Sequence, residues 1–408
     1  MVQKININYI KDGNKGENSI IFDIKGDKEY GLNKSIINSL RRVLLSSIPT
    51  IAFKTDMQNT DIKILKNTTP LHNEYLLHRI SMIPLFIDPS NYKRQYLFKL
   101  KVQSSSETPL IKVTSEDFDI FSLKNEDETS TDTNIIDINL YSDKPISNKE
   151  KKEIFRPFRD KYYSDITELK TTNSSLKEEL ELYGVPRVSV AYEDARWQSV
   201  SCASYSFKKD EDLFNQILNE KITINKIEEE DKYNFSKSLY ISESERYYHR
   251  DVNCEPYWYE FKIDSLHYNT SKDLFIKSCD ILVNELELFR EDISNILTND
   301  ENSRISINQE SENIYKIIVH GNDDTLGNII QTHIVNHVIN EKDTNILTCG
   351  YKKTHALEDI IIFHVSLDIS LKRSNEQNIL LIIQIFKETC NDLINTYSLI
   401  KSASQDNL

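Results

Sequence analysis

Two adjacent arginines, Arg41 and Arg42, lie in the segment NSLRRVLLSSIPT and are well suited to bind an anion. A guanidinium group presents a planar set of N–H donors that matches a carboxylate or a phosphate, and it stays charged at neutral pH. On a helix both side chains flank the apolar stripe of this segment rather than lying on it. Three interpretations remain open from the residues alone: a solvated helix surface, a phosphate site, or a contact with carboxylates or carbonyls of another protein.

Other residues have types that bind metal ions, but their positions favour simpler roles. Asp323 and Asp324 stand just before a predicted helix, where aspartate caps free amide groups and complements the helix dipole. His249 and Cys254 lack a second pair at the spacing of a tetrahedral zinc site. A further group consists of Cys349, His355 and His364. The last of these falls in the strand-like run DIIIFHVSLDI, so we predict no metal site and no cofactor.

The sequence contains none of the short motifs that mark common catalytic or nucleotide sites. It lacks G-x-x-x-x-G-K-[ST], G-x-G-x-x-G, G-x-S-x-G and H-E-x-x-H. An unrecognised hydrolase or transferase would need a reactive constellation of side chains, and we find none. The prediction is a chain that is not an enzyme by itself.

Composition limits the function classes further. The 408 residues are enough for two or three domains, and a net charge of -14 weighs against a large nucleic-acid footprint. The five cysteines form no close pair, which favours a reducing intracellular compartment. The first residues are too polar for a signal peptide, and no apolar run approaches ~20 residues, so no membrane span is expected.

Two blocks of the sequence share a pattern of a strand, a polar turn and a helix. In the first block the strand is predicted over 19–26 and the helix over about 31–47; in the second they are predicted over 314–321 and about 325–340. Apolar residues recur every four positions on both helices, at Leu32, Ile36, Leu40 and Leu44 and at Leu326, Ile330, Ile334 and Val338. This repetition predicts two related α+β units.

Each block is followed at some distance by a long amphipathic helix, predicted over 271–297 and 375–401. Their apolar seams include Leu286, Phe289, Phe386 and Leu393. Such seams are required where a helix packs lengthwise on a sheet or on another helix. We therefore predict two dimerisation units packed as an intramolecular pseudo-dimer. Gly327 lowers the propensity of the second short helix, and we predict that it permits close backbone approach between the two units.

The remaining sequence divides the chain into domains. Strand-like runs between 53 and 187, namely YLFKLKV, LIKVTS and IIDINLYS, predict a mostly-β insert domain. The charge run KIEEEDK, within a polar segment over 208–255, is expected to be a solvated loop. The predicted domains are a first dimerisation unit (1–52 and 188–298), the insert domain (53–187), a linker (299–313) and a second dimerisation unit (314–408).

Several segments resemble the alpha-type subunits of cellular RNA polymerases, which include the third-largest subunit of eukaryotic RNA polymerase II and the archaeal D subunit. They are NSLRRVLLSSIPTIA (38–52), NEYLLHRISMIPL (73–85) and YEDARWQSVSCASYSF (192–207). The second dimerisation unit resembles the small partner subunit, eleventh in the eukaryotic enzyme and L in archaea, in NDDTLGNIIQTHI (322–334) and CGYKKTHALEDIIIFHV (349–365). One chain that holds both in tandem resembles the fused subunit of large DNA viruses.

This resemblance implies a non-catalytic assembly subunit of a multisubunit DNA-directed RNA polymerase. The implied partners are the two largest subunits, with the beta-like contact favoured, and small accessory subunits, while DNA is met only through the complex. The implied interface residues are Arg41, Arg42, Glu74, His78, Arg79, Arg196 and Trp197. Many relatives carry a cysteine cluster in the insert domain, but 53–187 contains no cysteine, so no metal site is carried over. A viral factory or particle is the implied location, with the nucleus as an alternative.

The main alternative is a nucleic-acid-binding transcription regulator. In that interpretation Arg41, Arg42 and Arg79 would contact phosphates. The overall acidity and the absence of an aromatic and basic stacking stripe count against it.

Overall fold

The computed structural model describes residues 5–13, 16–27, 32–56, 59–105, 110–125, 136–159, 161–173, 176–252, 254–296, 304–339, 346–368 and 373–408. The chain divides into two compact units. The first consists of Met1–Leu44, Cys202–Asp264 and Ser271–Leu408. The second consists of Leu45–Ser201 and Ser265–Thr270.

Helices and strands are mixed in both units, as the predicted α+β class requires. In chain order the helices of the described residues are α1 (Lys34–Ser46), α2 (Asn73–Ser81), α3 (Asn148–Phe155), α4 (Glu211–Asn225), α5 (Lys232–Glu243), α6 (Ser271–Asn295), α7 (Asp324–His333) and α8 (Asn375–Asn407). The strands are β1 (Asn6–Gly13), β2 (Gly16–Lys25), β3 (Thr50–Ala52), β4 (Ile62–Asn67), β5 (Tyr96–Gln103), β6 (Leu110–Thr114), β7 (Phe118–Ser122), β8 (Asp165–Asn173), β9 (Leu176–Lys177), β10 (Glu179–Gly184), β11 (Arg187–Ser189), β12 (Val200–Phe207), β13 (Trp258–Ser265), β14 (Ile305–Ser311), β15 (Ile314–His320), β16 (Ile346–Lys353) and β17 (Ile360–Leu367). None of these helices is long and apolar enough to cross a membrane.

The first unit contains a four-stranded sheet in the order β1-β2-β13-β12. Phe22 of β2 pairs with Phe261 of β13, and their ring centroids lie 5.7 Å apart. Phe275 of α6 packs edge-on against Phe22 with centroids 5.0 Å apart. Residues on alternate positions of β13 are buried, because only one face of the sheet meets the helices. The predicted strand over 19–26 is confirmed as β2.

A second four-stranded sheet of the same unit has the order β14-β15-β17-β16. Ile317 of β15 pairs with Phe363 of β17, and both are fully buried. The predicted strand over 314–321 is confirmed as β15. The linker predicted over 299–313 is wrong from Ile305 onward, because these residues form the edge strand β14 and pair with β15. Most side chains of β14 are polar and exposed, because it is an edge strand. This polar composition is the reason why the sequence predicted a linker.

The two long predicted helices are confirmed as α6 and α8, which pack along each other. Phe289 and Phe386 meet across the pair with ring centroids 6.3 Å apart. Nearer the end of α8, Lys401 forms an ion pair with Asp280 at 2.6 Å. Helix α8 also contacts β1 and α7, so it touches elements from both ends of the chain.

The short helices are likewise confirmed, with differences at their ends. Helix α1 covers most of the range predicted for it. Helix α7 begins at Asp324 and continues from Ile334 to Ile339 as a π-helical turn, while Asn340 lies outside the described residues. The polar segment 208–255 contains two helices, α4 and α5, that the sequence analysis missed. The run KIEEEDK joins them as a mostly exposed turn, as predicted.

The second unit contains a four-stranded sheet (β4-β10-β5-β7), a three-stranded sheet (β6-β8-β9) and the pair β11-β3. Phe98 lies at its centre, with Phe53, Phe118 and Phe155 packed edge-on around it at centroid distances of 5.3, 6.0 and 5.9 Å. The unit extends beyond the predicted insert domain of 53–187 on both sides, since β3 pairs with β11.

Two of the three strands predicted for this region are confirmed as β5 and β6. The run IIDINLYS is wrong as a strand, because Ile138–Leu140 form a 3-10 turn. The side chain of Asp137 accepts a hydrogen bond from the backbone N–H of Asn139 and stabilises that turn. Such a local side-chain bond competes with strand pairing and is not visible in an apolar alternation.

Candidate functional site

Arg42 of α1 forms a specific contact inside the first unit. Its Nη2 atom donates to Oδ2 of Asp323 at 2.9 Å, and its Nε atom donates to Oγ1 of Thr325 at 2.9 Å. The Arg42 side chain remains 39% exposed and that of Asp323 30% exposed, so the ion pair lies at the rim of the core. The contact joins the first short helix to the start of the second.

Asp323 is the N-cap of α7, which confirms the prediction for this residue. Its Oδ1 atom accepts the backbone N–H of Thr325 at 2.8 Å, while Oδ2 accepts the Thr325 hydroxyl at 3.1 Å in addition to Arg42. Capping alone uses one oxygen of the carboxylate, so the other is available for the arginine. One side chain therefore both starts α7 and binds α1.

Arg41 differs from its neighbour. Its Nε atom donates to Oδ1 of Asn38 on the same helix at 2.9 Å. Among the described residues it makes no ion pair, so most of its N–H groups are not committed within the chain. The two arginines are thus not equivalent: Arg42 contacts the second half of the chain, and Arg41 keeps donors available. Their contact with a partner subunit stays a prediction.

A buried polar contact lies close to the same helices. The hydroxyl groups of Ser39 on α1 and Tyr397 on α8 are 2.6 Å apart, and burial raises the pKa of Tyr397. Glu285 of α6 is mostly buried. Burial raises the pKa of Glu285 to about 7, and the negative charge of Asp323 contributes to that rise. This region therefore contains a carboxyl group that changes charge near neutral pH.

The apolar residues predicted for the helix interfaces are all buried: Leu32, Ile36, Leu40, Leu44, Leu326, Ile330, Ile334, Val338, Leu286, Phe289, Phe386 and Leu393. Gly327 is also buried, but for a different reason from the predicted one. A Cβ atom at Gly327 would lie 2.6 Å from the ring of Tyr351 on β16. Both residues belong to the same predicted dimerisation unit, 314–408. The glycine makes room for this ring, so the predicted backbone approach between two units is wrong as its explanation.

Helix α2 of the second unit exposes the residues predicted on it. Glu74, His78 and Arg79 are exposed, and Nη2 of Arg79 donates to the backbone carbonyl of Asp165 at 2.9 Å. Tyr75 on α2 and Met82 just after it are also exposed, at 68% and 51%, and were not predicted from the sequence. Spacing could have revealed them, because positions 75, 78, 79 and 82 share one helix face.

The pair Arg196 and Trp197 lies in the interior of the second unit. Trp197 is only 1% exposed. The guanidinium of Arg196 donates to Oδ1 of Asp194 at 2.9 Å and to Oγ1 of Thr55 at 2.6 Å. Both residues therefore hold this unit together, a role that the sequence analysis did not predict. Their contact with a partner stays a prediction.

The residues considered as metal ligands have other contacts. His249 stacks on the ring of Trp258 with centroids 4.8 Å apart, and its Nδ1 atom lies 3.3 Å from Oδ2 of Asp210. Cys349 is buried, which raises its pKa to about 12, and His364 lies in β17 as predicted. Within the described ranges, no group of three or more His, Cys, Asp or Glu residues is arranged to hold a metal ion.

Comparison with known proteins gives one family match. The model of the RNA polymerase Rpb3/Rpb11 dimerisation domain matches residues 28–286, which is more than half of the chain.

Individual proteins match shorter segments. The subunit rpac1 of DNA-directed RNA polymerases I and III from Dictyostelium discoideum is 34% identical over 125 residues, 29% of this chain and 30% of that protein. Subunit Rpo3 of the DNA-directed RNA polymerase of Methanosphaera stadtmanae is 26% identical over 178 residues, 43% of this chain and 54% of that protein. The human RPAC1 subunit is 32% identical over 91 residues, 22% of this chain and 21% of that protein. The matched segments thus span between about a fifth and about half of these relatives.

Proposed function

Because the chain belongs to the RNA polymerase Rpb3/Rpb11 dimerisation-domain family, we propose that it is a non-catalytic assembly subunit of a multisubunit DNA-directed RNA polymerase. The observation that carries this proposal is the family match over residues 28–286, which includes α1, α2 and most of α6. The relatives from Dictyostelium discoideum and Methanosphaera stadtmanae are named as polymerase subunits, which supports the same role. In this role the chain contributes surfaces to the enzyme and no reacting group.

We propose further that the chain is a fused pair of dimerisation units. Each unit would supply one four-stranded sheet, one short helix and one long helix. The packing of α6 along α8 supports this arrangement, and so does the contact of α8 with β1. The bond between Arg42 and Asp323 adds a polar contact between the two proposed units. Fusion would keep the partners at an effective concentration of roughly millimolar and fix their ratio at one to one.

The proposed partners are the two largest polymerase subunits and small accessory subunits. Arg41 has donors available for a partner carboxylate or carbonyl, and the exposed face of α2 offers a tyrosine, a histidine, an arginine and a methionine. Tyr, Arg and Met are enriched at the centres of protein interfaces, which supports α2 as a docking helix for the beta-like subunit. Arg196 and Trp197 would act indirectly by holding the fold of the second unit.

We propose that the protein acts inside the cell and that it contacts DNA only as part of the assembled polymerase. The tandem order of the two units is the feature that resembles fused subunits of large DNA viruses. A viral factory or particle is therefore the location that we propose. In this proposal the insert domain extends beyond 53–187 to the bounds of the second compact unit, and the second dimerisation unit begins at β14 rather than at residue 314.

A native pull-down of the tagged full-length chain from its source cells tests the proposed function. We expect two very large chains to co-purify, together with DNA-directed RNA synthesis in the eluate. The same eluate should contain small subunits in fixed ratio to the tagged chain. Recovery of the tagged chain without large chains and without RNA synthesis would contradict the proposal.

A further inference from the structure

We propose that a basic cleft on the second compact unit binds an acidic segment of a partner polypeptide. The cleft has a volume of about 290 Å³ and is lined by residues of α2, β6 and β8, together with Pro70 and Leu71 just before α2. The inference rests on the proposed function only for the identity of the partner, since the chemistry of the cleft is set by its own residues.

Three cations from three different elements line the cleft: Arg79 of α2, Lys112 of β6 and Lys170 of β8. None of the three forms an ion pair with a carboxylate in the part of the chain that the structure describes. Three cations and two carboxylates line the cleft, a local excess of positive charge in a chain whose net charge is -14. Unpaired cations at a concave surface attract an anionic group.

Arg79 is already oriented for such a group. Its Nη2 atom donates to the backbone carbonyl of Asp165 at 2.9 Å. This bond fixes the plane of the guanidinium, which lowers the entropy lost when further N–H groups bind a ligand. A carboxylate can accept two parallel N–H bonds from such a group.

Thr167 adds an unsatisfied hydroxyl to the same cleft. Its side chain is buried, with the residue only 7% exposed, and Oγ1 has no hydrogen-bond partner among the described residues. A buried polar atom without a partner costs about 1–3 kcal/mol. A ligand that reaches this hydroxyl would recover part of that free energy.

Two carboxylates in the cleft, Asp165 and Glu168, select the class of ligand. Glu168 of β8 lies directly opposite Lys112 of β6 in the register of the two strands, without an ion pair between their side chains among the described residues. A nucleic-acid strand would bring phosphates close to these carboxylates with few groups to donate to them. A peptide brings main-chain N–H groups, which the carboxylates can accept, beside an acidic side chain for the cations. Pro70 and Leu71 provide an apolar wall for a neighbouring side chain of that peptide.

Fluorescence anisotropy on the purified full-length chain tests the cleft directly. The probe is fluorescein-labelled hexaglutamate at low ionic strength, with hexaglutamine and hexathymidylate as competitors. The cleft variant carries Arg79→Gln, Lys112→Gln and Lys170→Gln, and the matched control carries Lys63→Gln, Lys144→Gln and Lys149→Gln. The control lysines are exposed in the same unit and do not line the cleft.

We expect the dissociation constant for hexaglutamate to rise about tenfold or more in the cleft variant and to change less than about twofold in the control. Thr167→Val keeps the shape of the side chain, and we expect it to weaken binding about threefold. Circular dichroism of each variant should match the unaltered chain. Absence of peptide binding at about 1 mM, equal weakening in both triple variants, or better competition by hexathymidylate than by unlabelled hexaglutamate would overturn the proposal.

A cross-linking arm separates this inference from the proposed function. A photoreactive residue replaces Lys112 in the tagged chain, and the pull-down from source cells is irradiated before mass spectrometry. A cross-link to a segment of a co-purified subunit that is rich in Asp and Glu supports the inference. Large polymerase subunits that co-purify without such a cross-link would overturn the cleft proposal and leave the proposed function intact. Absence of the large subunits would contradict the proposed function, while the peptide titration still decides on the cleft.

Discussion

The first unit has two halves, and each contains a four-stranded sheet, a short helix and a long helix. The two short helices differ in the charged residues that they carry. The half around β1-β2-β13-β12 has α1 as its short helix, with two arginines on its surface and no acidic residue in its first turn. The half around β14-β15-β17-β16 has α7, which begins with an aspartate cap. Arg42 of one helix therefore meets Asp323 of the other. The contact between the two short helices thus joins complementary rather than identical residues.

The halves also differ in the chain that leaves the short helix. After α1 the chain builds a separate compact unit before it returns to β12. After α7 it continues through a π-helical turn and resumes as β16, with residues 340–345 outside the described ranges. The residues that we propose to contact a partner, Arg41 and those on α2, lie before α7 in the chain.

The largest effect is expected at the contact between the long helices. Phe386 is fully buried against Phe289 and Phe363, one residue from each half. Phe386→Ala should lower the free energy of unfolding by about 3–5 kcal/mol, because it leaves a cavity in the shared core. Urea unfolding measures it, with the half-exposed Leu380→Ala on the same helix as control. A loss in one half only, seen as two separate transitions, would contradict a shared core.

A pH-dependent effect is expected at Glu285. The folded state raises its pKa to about 7, above the ordinary 4.5, so folding favours the protonated form. Its contribution to stability should therefore fall as the pH rises from about 4.5 to about 7 and stay low above that. At 1.36 kcal/mol per pKa unit the change is at most about 3 kcal/mol. Glu285→Gln should stabilise the chain at pH 8 and flatten its pH profile, while the exposed Glu291→Gln should not. An unchanged profile in Glu285→Gln would contradict this assignment.

A smaller effect is expected at the ion pair between the short helices. Arg42→Ala should cost about 1 kcal/mol, since the pair is partly exposed and screened by solvent. A double-mutant cycle with Asp323→Asn isolates the coupling from the loss of the cap. Measured by urea unfolding, the coupling energy should fall with added salt. A coupling energy of zero at low salt would show that the two halves meet there without energetic consequence.

The smallest effect on stability is expected at Arg41. Arg41→Ala should change the free energy of unfolding by less than about 0.5 kcal/mol, because its bond to Asn38 is local and its surroundings are partly exposed. Its effect should instead be seen in the pull-down, as a reduced yield of large subunits relative to the tagged chain. Unchanged yield would remove Arg41 from the proposed docking surface and would leave α2 as the remaining docking helix.

The sequence predicted the elements whose apolar spacing is regular and failed where pairing is nonlocal or polar. The four-residue repeat from Leu32 to Leu44 was sufficient for α1, and similar repeats were sufficient for α6, α7 and α8. The strand β14 was missed because an edge strand exposes most of its side chains. Helices α4 and α5 were missed because each buries only one side chain fully, Phe214 and Leu239.

The candidate site shows the same limit. Asp323 was predicted as a cap from its local position, but its bond to Arg42 spans 281 residues of sequence and has no local signal. The need for a glycine at position 327 has no local signal either. The ring that requires it belongs to Tyr351, which is 24 residues later in the sequence and lies on β16. The exposed face of α2 was only half predicted, since Tyr75 and Met82 carry no charge to single them out.

Separation of the two halves tests the proposed fused pair most directly. Residues 1–298 and 304–408 are co-expressed as independent chains, each with its own tag, and isolated through either tag in turn. We predict a stable one-to-one complex by analytical ultracentrifugation, which loses affinity when Phe386→Ala is introduced and keeps it with Leu380→Ala. Two chains that fold separately and sediment independently at micromolar concentration would contradict it.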